Sequence, residues 1–384
     1  QDGSSDDRKI VAVYCIQDCV LCNNLIDKLK IITNNIGMAN VCYVPLSYLF
    51  LRGQGIKIFS LVSRQCWQNG TLIPVIKYDQ DETSIKGYEK CDNKFDYGED
   101  ENENEEAENN DGYEGAIVLP PKPNIYLKQS VTVLDYASLY PSSMISENLS
   151  HDSIVLDNEE GRKYLGEKGK RELEKIGYGC EDIHYDIYKW KNPKIKGQGK
   201  IKCGIKICRF VQPKDGSKSI IPNILKHLLK SRKDTRKKIK YQTVYLNSGR
   251  KYSGLLDKGE NNTVITDEDG TKETVENNHI MKIEDTYNEF EKSVLDGSQL
   301  AFKLTANSLY GQIGAKTSAI HLKDIAASTT ATGRKLLYLA KEKVEEHFEG
   351  AEIVYGDTDS IFIDFNAKDK EGKTLENREG LKRS

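Results

Sequence analysis

Several things are missing from this chain, and each absence narrows what it does. No stretch approaches the 18 or more consecutive apolar residues of a membrane span, and the polar opening QDGSSDDRK is no signal peptide. A soluble intracellular protein without a membrane partner is expected. There is no cysteine framework either. The nine cysteines are odd in number and irregularly spaced, so reduced structural thiols are expected. Cys19 and Cys22 have the spacing of half a zinc site, but a second CxxC is missing, and Cys203 and Cys208 stand too far apart to supply one. Nor is there a net positive charge. At −3 overall, a nucleic-acid partner must be argued from local charge.

What is present is a long chain with strong charge asymmetry. With 384 residues, 38% hydrophobic and 30% charged, two or three packed units are expected. The run DYGEDENENEEAENND from Asp96 to Asp111 is too acidic and apolar-poor to fold on its own, and the stretch from Tyr78 to Gly112 reads as a flexible insertion. Against it stands KHLLKSRKDTRKKIK from Lys226 to Lys240, with eight Lys or Arg and one Asp.

Periodicity gives an α+β chain. The first 75 residues are helical, and Leu21, Leu25, Leu29 and Ile32 step at three and four, as on an ordinary buried helix face. Val131 to Tyr136 alternates as a strand that ends in Asp135, and Pro141 suits the first turn of the helix that follows. Residues 151–218 are mixed and carry no recognisable motif. A helix from Pro222 to about Tyr241 repeats Arg232, Arg236 and Lys240 every four residues. Short polar strands occupy 241–289, and a second helix through Gly311 places Lys303, Asn307 and Tyr310 on neighbouring turns. A Thr/Ala-rich helix from Lys323 to Phe348 precedes two strands, 352–355 and 360–364, with Gly356-Asp-Thr-Asp359 as the turn between them.

Three short stretches suit one chemistry: Asp135-Tyr-Ala-Ser-Leu-Tyr-Pro-Ser142, Lys303-Leu-Thr-Ala-Asn-Ser-Leu-Tyr-Gly311 and Tyr355-Gly-Asp-Thr-Asp-Ser360. Carboxylates from two distant segments can hold a pair of divalent cations, and the basic middle supplies charge for a triphosphate. Taken singly, Asp135 serves equally well as a helix cap, Asp357 and Asp359 as turn formers, and the Lys/Arg run as a solvated face. For Lys237, Lys238 and Lys240 the solvated face is the favoured reading.

In order and spacing the three stretches resemble motifs A, B and C of family B DNA polymerases. The stretch from Met38, MANVCYVPLSYLFLRGQGIKIFSLV, resembles the replicative delta-type branch, and Tyr113-Glu-Gly-Ala116 together with the insertion at 241–289 suggests large DNA viruses. The resemblance implies a right-hand fold with an antiparallel-sheet palm, helical fingers and the C-terminal part of a ribonuclease-H-like exonuclease domain. The implied layout is exonuclease 1–75, acidic connector 76–112, palm 113–218 and 312–384, and fingers 219–311, with no thumb.

It implies Asp135 and Asp359 as ligands of two Mg²⁺ ions, or Mn²⁺ in their place, with the Tyr136 carbonyl as a further ligand and Asp357 beside them. Ser138 and Leu139 would offer backbone N–H groups to the triphosphate, and Tyr140 would exclude a 2′-hydroxyl. Arg232, Arg236 and Lys303 would bind phosphates, Lys303 also donating a proton to pyrophosphate, and Asn307, Tyr310 and Gly311 would line the nascent base pair. Arg236 stands where Lys is common. Tyr113 and Gly115 would touch the template strand. Tyr14 and Asp18 match the third exonuclease motif, whose other carboxylates are not in this chain, so proofreading is expected to be incomplete. The implied partners are primer-template DNA, deoxynucleoside triphosphates and a sliding clamp, and the implied setting, if viral, is the host cytoplasm or nucleus. The alternative is a catalytically incomplete fragment that binds primer-template without turnover.

Overall fold

The computed structural model describes residues 3–73, 112–126, 130–158, 161–190 and 200–366. The acidic run and most of the expected connector lie outside them. The chain divides into two compact units, one of Gln1–Asn69 with Lys226–Leu309 and the other of Gly70–Leu225 with Tyr310–Ser384.

The first unit opens with helices α1 (Ser5–Lys28), α2 (Ile31–Cys42), α3 (Leu46–Leu51) and α4 (Gln54–Gln68). Ser4 caps α1 in a reciprocal box with Asp7, satisfying two otherwise orphaned N–H groups. The second unit begins with β1 (Gly112–Tyr113), β2 (Val118–Leu119), β3 (Val131–Asp135), α5 (Leu139–Ser146), α6 (Gly166–Lys175) and the long strands β4 (Tyr178–Trp190) and β5 (Lys200–Pro213). Helix α7 (Ile220–Lys238) leads into the first unit's β6 (Gln242–Leu246), β7 (Lys251–Lys258), β8 (Asn262–Thr266), β9 (Lys272–Glu276) and β10 (Ile280–Asp285). Helix α8 (Glu289–Gly314) then returns the chain to α9 (Lys323–His347), β11 (Glu352–Asp357) and β12 (Ser360–Asp364).

In the first unit, Met38, Cys42 and Val44 pack with Ala301 of α8, and the Cys42 thiol lies 3.4 Å from the Thr305 hydroxyl. Burial pushes that thiol's pKa up, consistent with a structural cysteine. The expected β-rich insertion is a five-stranded antiparallel sheet in the order β10-β6-β7-β8-β9, closed over Val244, Ile265 and Val275.

One expectation fails here. Leu21, Leu25, Leu29 and Ile32 are all exposed, and α1 buries none of its residues. The 3.6-residue period marks the side of a helix that needs cover but does not say what covers it. For the same reason α1 is, among the described residues, the one helix long and apolar enough by length and average composition to cross a membrane, although no long uncharged run was legible. It carries Asp18 at mid-length, which costs about 2.5–3.5 kcal/mol at a bilayer centre.

The second unit is built on a four-stranded antiparallel sheet, β2-β11-β12-β3, backed by α9 through Leu337 and Val344 on Ile353, Ile361 and Ile363. The stretch that carried no motif proves to hold a long hairpin, β4 against β5, with β1 on its free edge. β4 alternates through buried Ile183, Tyr185 and Ile187, but β5 buries Arg209 and half-buries Lys206, so charge stands where burial calls for apolar side chains. Arg209 grips Asp182, and Lys206 with the Tyr185 hydroxyl grips Asp324 at the start of α9.

Candidate active site

Two strands set the carboxylates. β12 runs antiparallel to β3 with Ser360 opposite Asp135, and beyond the ladder the Tyr136 N–H donates to the Asp359 carbonyl at 2.8 Å. Asp359 and Asp135, 224 positions apart in sequence, are thereby neighbours at one end of the sheet. The hairpin is tighter than expected. Gly356 and Asp357 still belong to β11, with Asp357 opposite Ser360, which leaves Thr358 and Asp359 as the two-residue turn. Thr358 has φ 54°, a left-handed conformation that a β-branched residue rarely adopts, so the turn stores backbone strain at the carboxylates. Gly356 allows close approach of the Leu119 side chain of β2, which a Cβ there would meet at 2.8 Å and push aside.

The three acids differ in their surroundings. Asp357 accepts hydrogen bonds from the Tyr355 hydroxyl at 3.2 Å and the Thr358 hydroxyl at 2.8 Å. Among the described residues, no Lys or Arg forms an ion pair with Asp135 or Asp359. Burial, and then the charge of Asp135, push the Asp359 carboxyl above the usual carboxylate range. Paired carboxylates left without a cation suit hard metal ions with oxygen ligands. Among the described residues no group of three His, Cys, Asp or Glu side chains gathers closely enough to enclose an ion. Any cation here therefore needs further oxygens, such as the Tyr136 carbonyl and phosphate oxygens.

Next to the acids lies an aromatic floor. Ser138, left-handed at φ 55°, starts α5 without capping it through its side chain, so the N–H groups of the first turn keep their donor capacity. Tyr140 stacks on Tyr310 with ring centroids 4.6 Å apart, and burial raises the pKa of both phenols. The negative charges of Asp359 and Asp357 add to the upward shift at Tyr140, which places its ring within the field of the site. Tyr113 hydrogen-bonds to Tyr310, and Gly311 is exposed at the C-terminal end of α8.

Two residues beside this floor were missed in the sequence. A Cβ on Gly333 of α9 would come within 3.1 Å of the Tyr140 ring and 3.2 Å of Leu139, so a larger residue there would make these side chains shift. Arg334, only 11% exposed, donates to the carbonyls of Glu114 at 2.6 Å and Gly115 at 2.7 Å and pairs with the Glu114 carboxylate at 3.3 Å. Thr330 adds a hydrogen bond to the same Glu114 carbonyl, so α9 fixes the loop that carries Tyr113 and Gly115. A glycine followed by arginine in mid-helix, where neither caps anything, was the available clue.

The cationic residues belong to the first unit. Arg232, Arg236 and Lys240 of the α7 segment line one pocket together with Lys233 and Lys237, while Lys303 and Asn307, one turn apart on α8, are exposed outside that lining. The structure thus groups two of the expected phosphate ligands with Lys233 and with Lys237 and Lys240, which had been read as solvated, and keeps Lys303 outside that lining. Tyr14 and Asp18 are exposed one turn apart on α1. Cys19 and Cys22, also exposed on α1, are not part of any metal-competent group among the described residues.

A sequence profile described as DNA polymerase family B matches residues 44–249 and 276–378, and the gap between them falls within the inserted sheet. The chain is 49% identical over its full length to a DNA polymerase of Pyramimonas orientalis virus, of which it covers 28%. It is 33% identical, over 93% of its length, to a DNA polymerase of Acanthamoeba polyphaga mimivirus, covering 26% of that protein. It is 30% identical, over 96%, to the DNA polymerase delta catalytic subunit of Dictyostelium discoideum, covering 24%. Among solved structures, the family B DNA polymerase of the archaeon Pyrobaculum calidifontis matches in fold with a TM-score of 0.52 at 22% identity, over 94% of this chain and 32% of that one. The chain spans less than a third of the length of these relatives.

Proposed function

Since the chain belongs to DNA polymerase family B, we propose that it is the palm-and-fingers segment of a DNA-directed DNA polymerase that adds deoxynucleotides to a primer 3′-hydroxyl. In this reading the four-stranded sheet with α5 and α9 is the palm, α7, α8 and the inserted sheet are the fingers, and α1–α4 close an exonuclease domain whose Tyr14 and Asp18 belong to its site. The observation that carries the proposal is the register of β12 on β3, which sets Asp359 beside Asp135 with no basic partner among the described residues.

Asp135, Asp359 and the Tyr136 carbonyl fit a pair of Mg²⁺ ions by donor chemistry, all three being hard oxygens. When bound, such ions lower the pKa of the attacking hydroxyl and neutralise charge on the leaving pyrophosphate. The chain's own residues do the rest. Asp357, tied to two hydroxyls, holds the turn and adds negative field. The N–H groups of Ser138 and Leu139 receive phosphate oxygens at the start of α5. Arg232 and Arg236 grip the triphosphate, and Lys303 places a transferable proton near the leaving group, as the more readily deprotonated of the two basic residue types. Tyr140, backed by Tyr310 and locked by Gly333, stands where a ribose 2′-hydroxyl would clash, while Asn307 and Gly311 line the base pair. Tyr113 and Gly115, held by Arg334, meet the template strand.

The test is primer extension by the full-length polymerase carrying Asp135→Asn or Asp359→Asn. Extension is expected to fall below detection while primer-template binding stays within about threefold; near-normal extension by either variant sinks the assignment. The same assay on the 384-residue chain decides the second reading, favoured by its short span of the relatives: a gel shift without product identifies a binding segment that needs the rest of the enzyme for turnover. Clamp association is proposed on the likeness to delta subunits alone.

A further inference from the structure

One turn of α9 touches three parts of the carboxylate site. Gly333 lies against the Tyr140 ring, Arg334 holds the loop of Tyr113 and Gly115, and the Leu336 carbonyl accepts the Tyr136 hydroxyl at 3.0 Å. The last contact joins residues 200 positions apart, and none of the roles given above uses it. Alternation along β3 explains why that hydroxyl reaches α9. Leu134 stands opposite Ile361, which packs with Leu337 of α9, whereas Asp135 stands opposite Ser360 on the other face. Tyr136 follows on the α9 side.

The backbone of the same residue is anchored independently. Its N–H donates to the Asp359 carbonyl at 2.8 Å, and the next carbonyl, that of Ala137, accepts the Ser142 hydroxyl at 2.9 Å. Among the described residues nothing donates to the Tyr136 carbonyl between them. Tyr136 lies beyond the last residue of β3 and ahead of Ser138 at φ 55°, so neither strand nor helix fixes its peptide. Side chain and N–H do so instead. With both tied to different elements, the free carbonyl keeps little freedom beyond rotation about ψ, which the Ala137–Ser142 bond restrains from the other end.

Resting on the polymerase reading above, we propose that the Tyr136 hydroxyl is a positioning group for the divalent cations: anchored on the Leu336 carbonyl, it fixes the Tyr136 carbonyl as an oxygen ligand beside Asp135 and Asp359. No bond is made or broken at the hydroxyl. It supplies no ligand of its own and acts by holding one ready. Partners that orient a ligand from behind change metal affinity by about 10–100-fold, and a single neutral hydrogen bond acting through a side chain belongs at or below the lower end of that range.

The experiment is a Mn²⁺ titration of the 384-residue chain followed by electron paramagnetic resonance, with the metal alone as probe. Tyr136→Phe is expected to weaken Mn²⁺ binding about three- to tenfold. Tyr185→Phe removes a second phenol hydroxyl held by α9, the one donated from β4 to Asp324, and is expected to leave Mn²⁺ binding within about twofold. In the full-length polymerase, Tyr136→Phe should raise the Mg²⁺ concentration for half-maximal primer extension by a similar factor, while excess Mg²⁺ restores kcat and leaves the deoxynucleotide KM within about twofold. Unchanged Mn²⁺ affinity in Tyr136→Phe, or an equal loss in Tyr185→Phe, overturns the positioning role. A fall in kcat that excess Mg²⁺ does not restore also overturns it, because the hydroxyl would then serve packing alone. The polymerase reading fails by a separate result, Mn²⁺ affinity unchanged in Asp359→Asn.

Discussion

The four-stranded sheet and the inserted five-stranded sheet make an instructive pair. Both are antiparallel, both close a small aliphatic core, and both carry an acidic hairpin turn, Asp357-Thr-Asp359 in one and Asp267-Glu-Asp269 in the other. What differs is what the carboxylates meet. In the inserted sheet, Asp267 accepts the Thr271 N–H at 2.8 Å and Glu268 pairs with Lys238. In the other, Asp359 meets a second carboxylate and, among the described residues, no basic side chain. The acids of the inserted sheet finish their turn or meet a lysine, whereas Asp359 keeps a carboxylate neighbour and no basic partner among the described residues, as the proposed cation ligation requires. That distinction separates two readings of an aspartate that its sequence neighbours do not.

The comparison breaks most visibly in catalysis. On the proposed polymerase function, Asp359→Asn is expected to lower single-nucleotide incorporation by at least about a thousandfold, against less than about twofold for Glu268→Gln. Equal losses in a single-turnover assay would erase the distinction between the two turns.

A smaller effect is expected from packing. Gly333→Ala brings a methyl group within 3.1 Å of the Tyr140 ring and 3.2 Å of Leu139, an overlap that offsets the gain of about 1 kcal/mol in helix propensity and displaces the Tyr140 ring. Ribonucleotide incorporation relative to deoxynucleotide should rise with it. Unaltered discrimination would detach Tyr140 from that role.

The smallest effect is in pH. The Asp359 carboxyl is held up by burial and by Asp135, so the folded state keeps its proton longer than the unfolded state. Its stabilising contribution is present below the ordinary carboxylate pKa and is lost as pH rises through the raised value. Asp285 in the inserted sheet runs the other way: hydrogen bonds from Lys292 and Gln242 hold it down, so its contribution is lost as pH falls. Asp359→Asn is therefore expected to raise the Tm of the metal-free chain at pH 7 by about 1–3 °C and to flatten its fall from pH 4 to 6. A lowered Tm at neutral pH would show that Asp135 does not repel it.

Much of this was legible in the residues. The 3.6 and 2.0 periods located α7, α8, α9, β11 and β12 to within a few residues, because long regular elements repeat their apolar positions many times. The β4–β5 hairpin was not legible, since β5 buries Arg209 and half-buries Lys206, whose acidic partners Asp182 and Asp324 become neighbours only in the fold. Arg334 was missed because its partners are the carbonyls of Glu114 and Gly115, 220 and 219 positions away, and a carbonyl has no letter in the sequence. Lys237 and Lys240 were taken for a solvated face, yet they line a pocket, because a helix repeat does not tell water from a concavity.

The order and chemistry of the three motifs were enough to determine the family and the candidate ligands, since each motif is local and its residue types are constrained by the reaction. Tertiary structure alone decided which acids stand unneutralised together, which glycine the Tyr140 ring packs against, and which lysines share a pocket. Those outcomes depend on pairing between segments hundreds of residues apart, where a single step of strand register exchanges one face for the other.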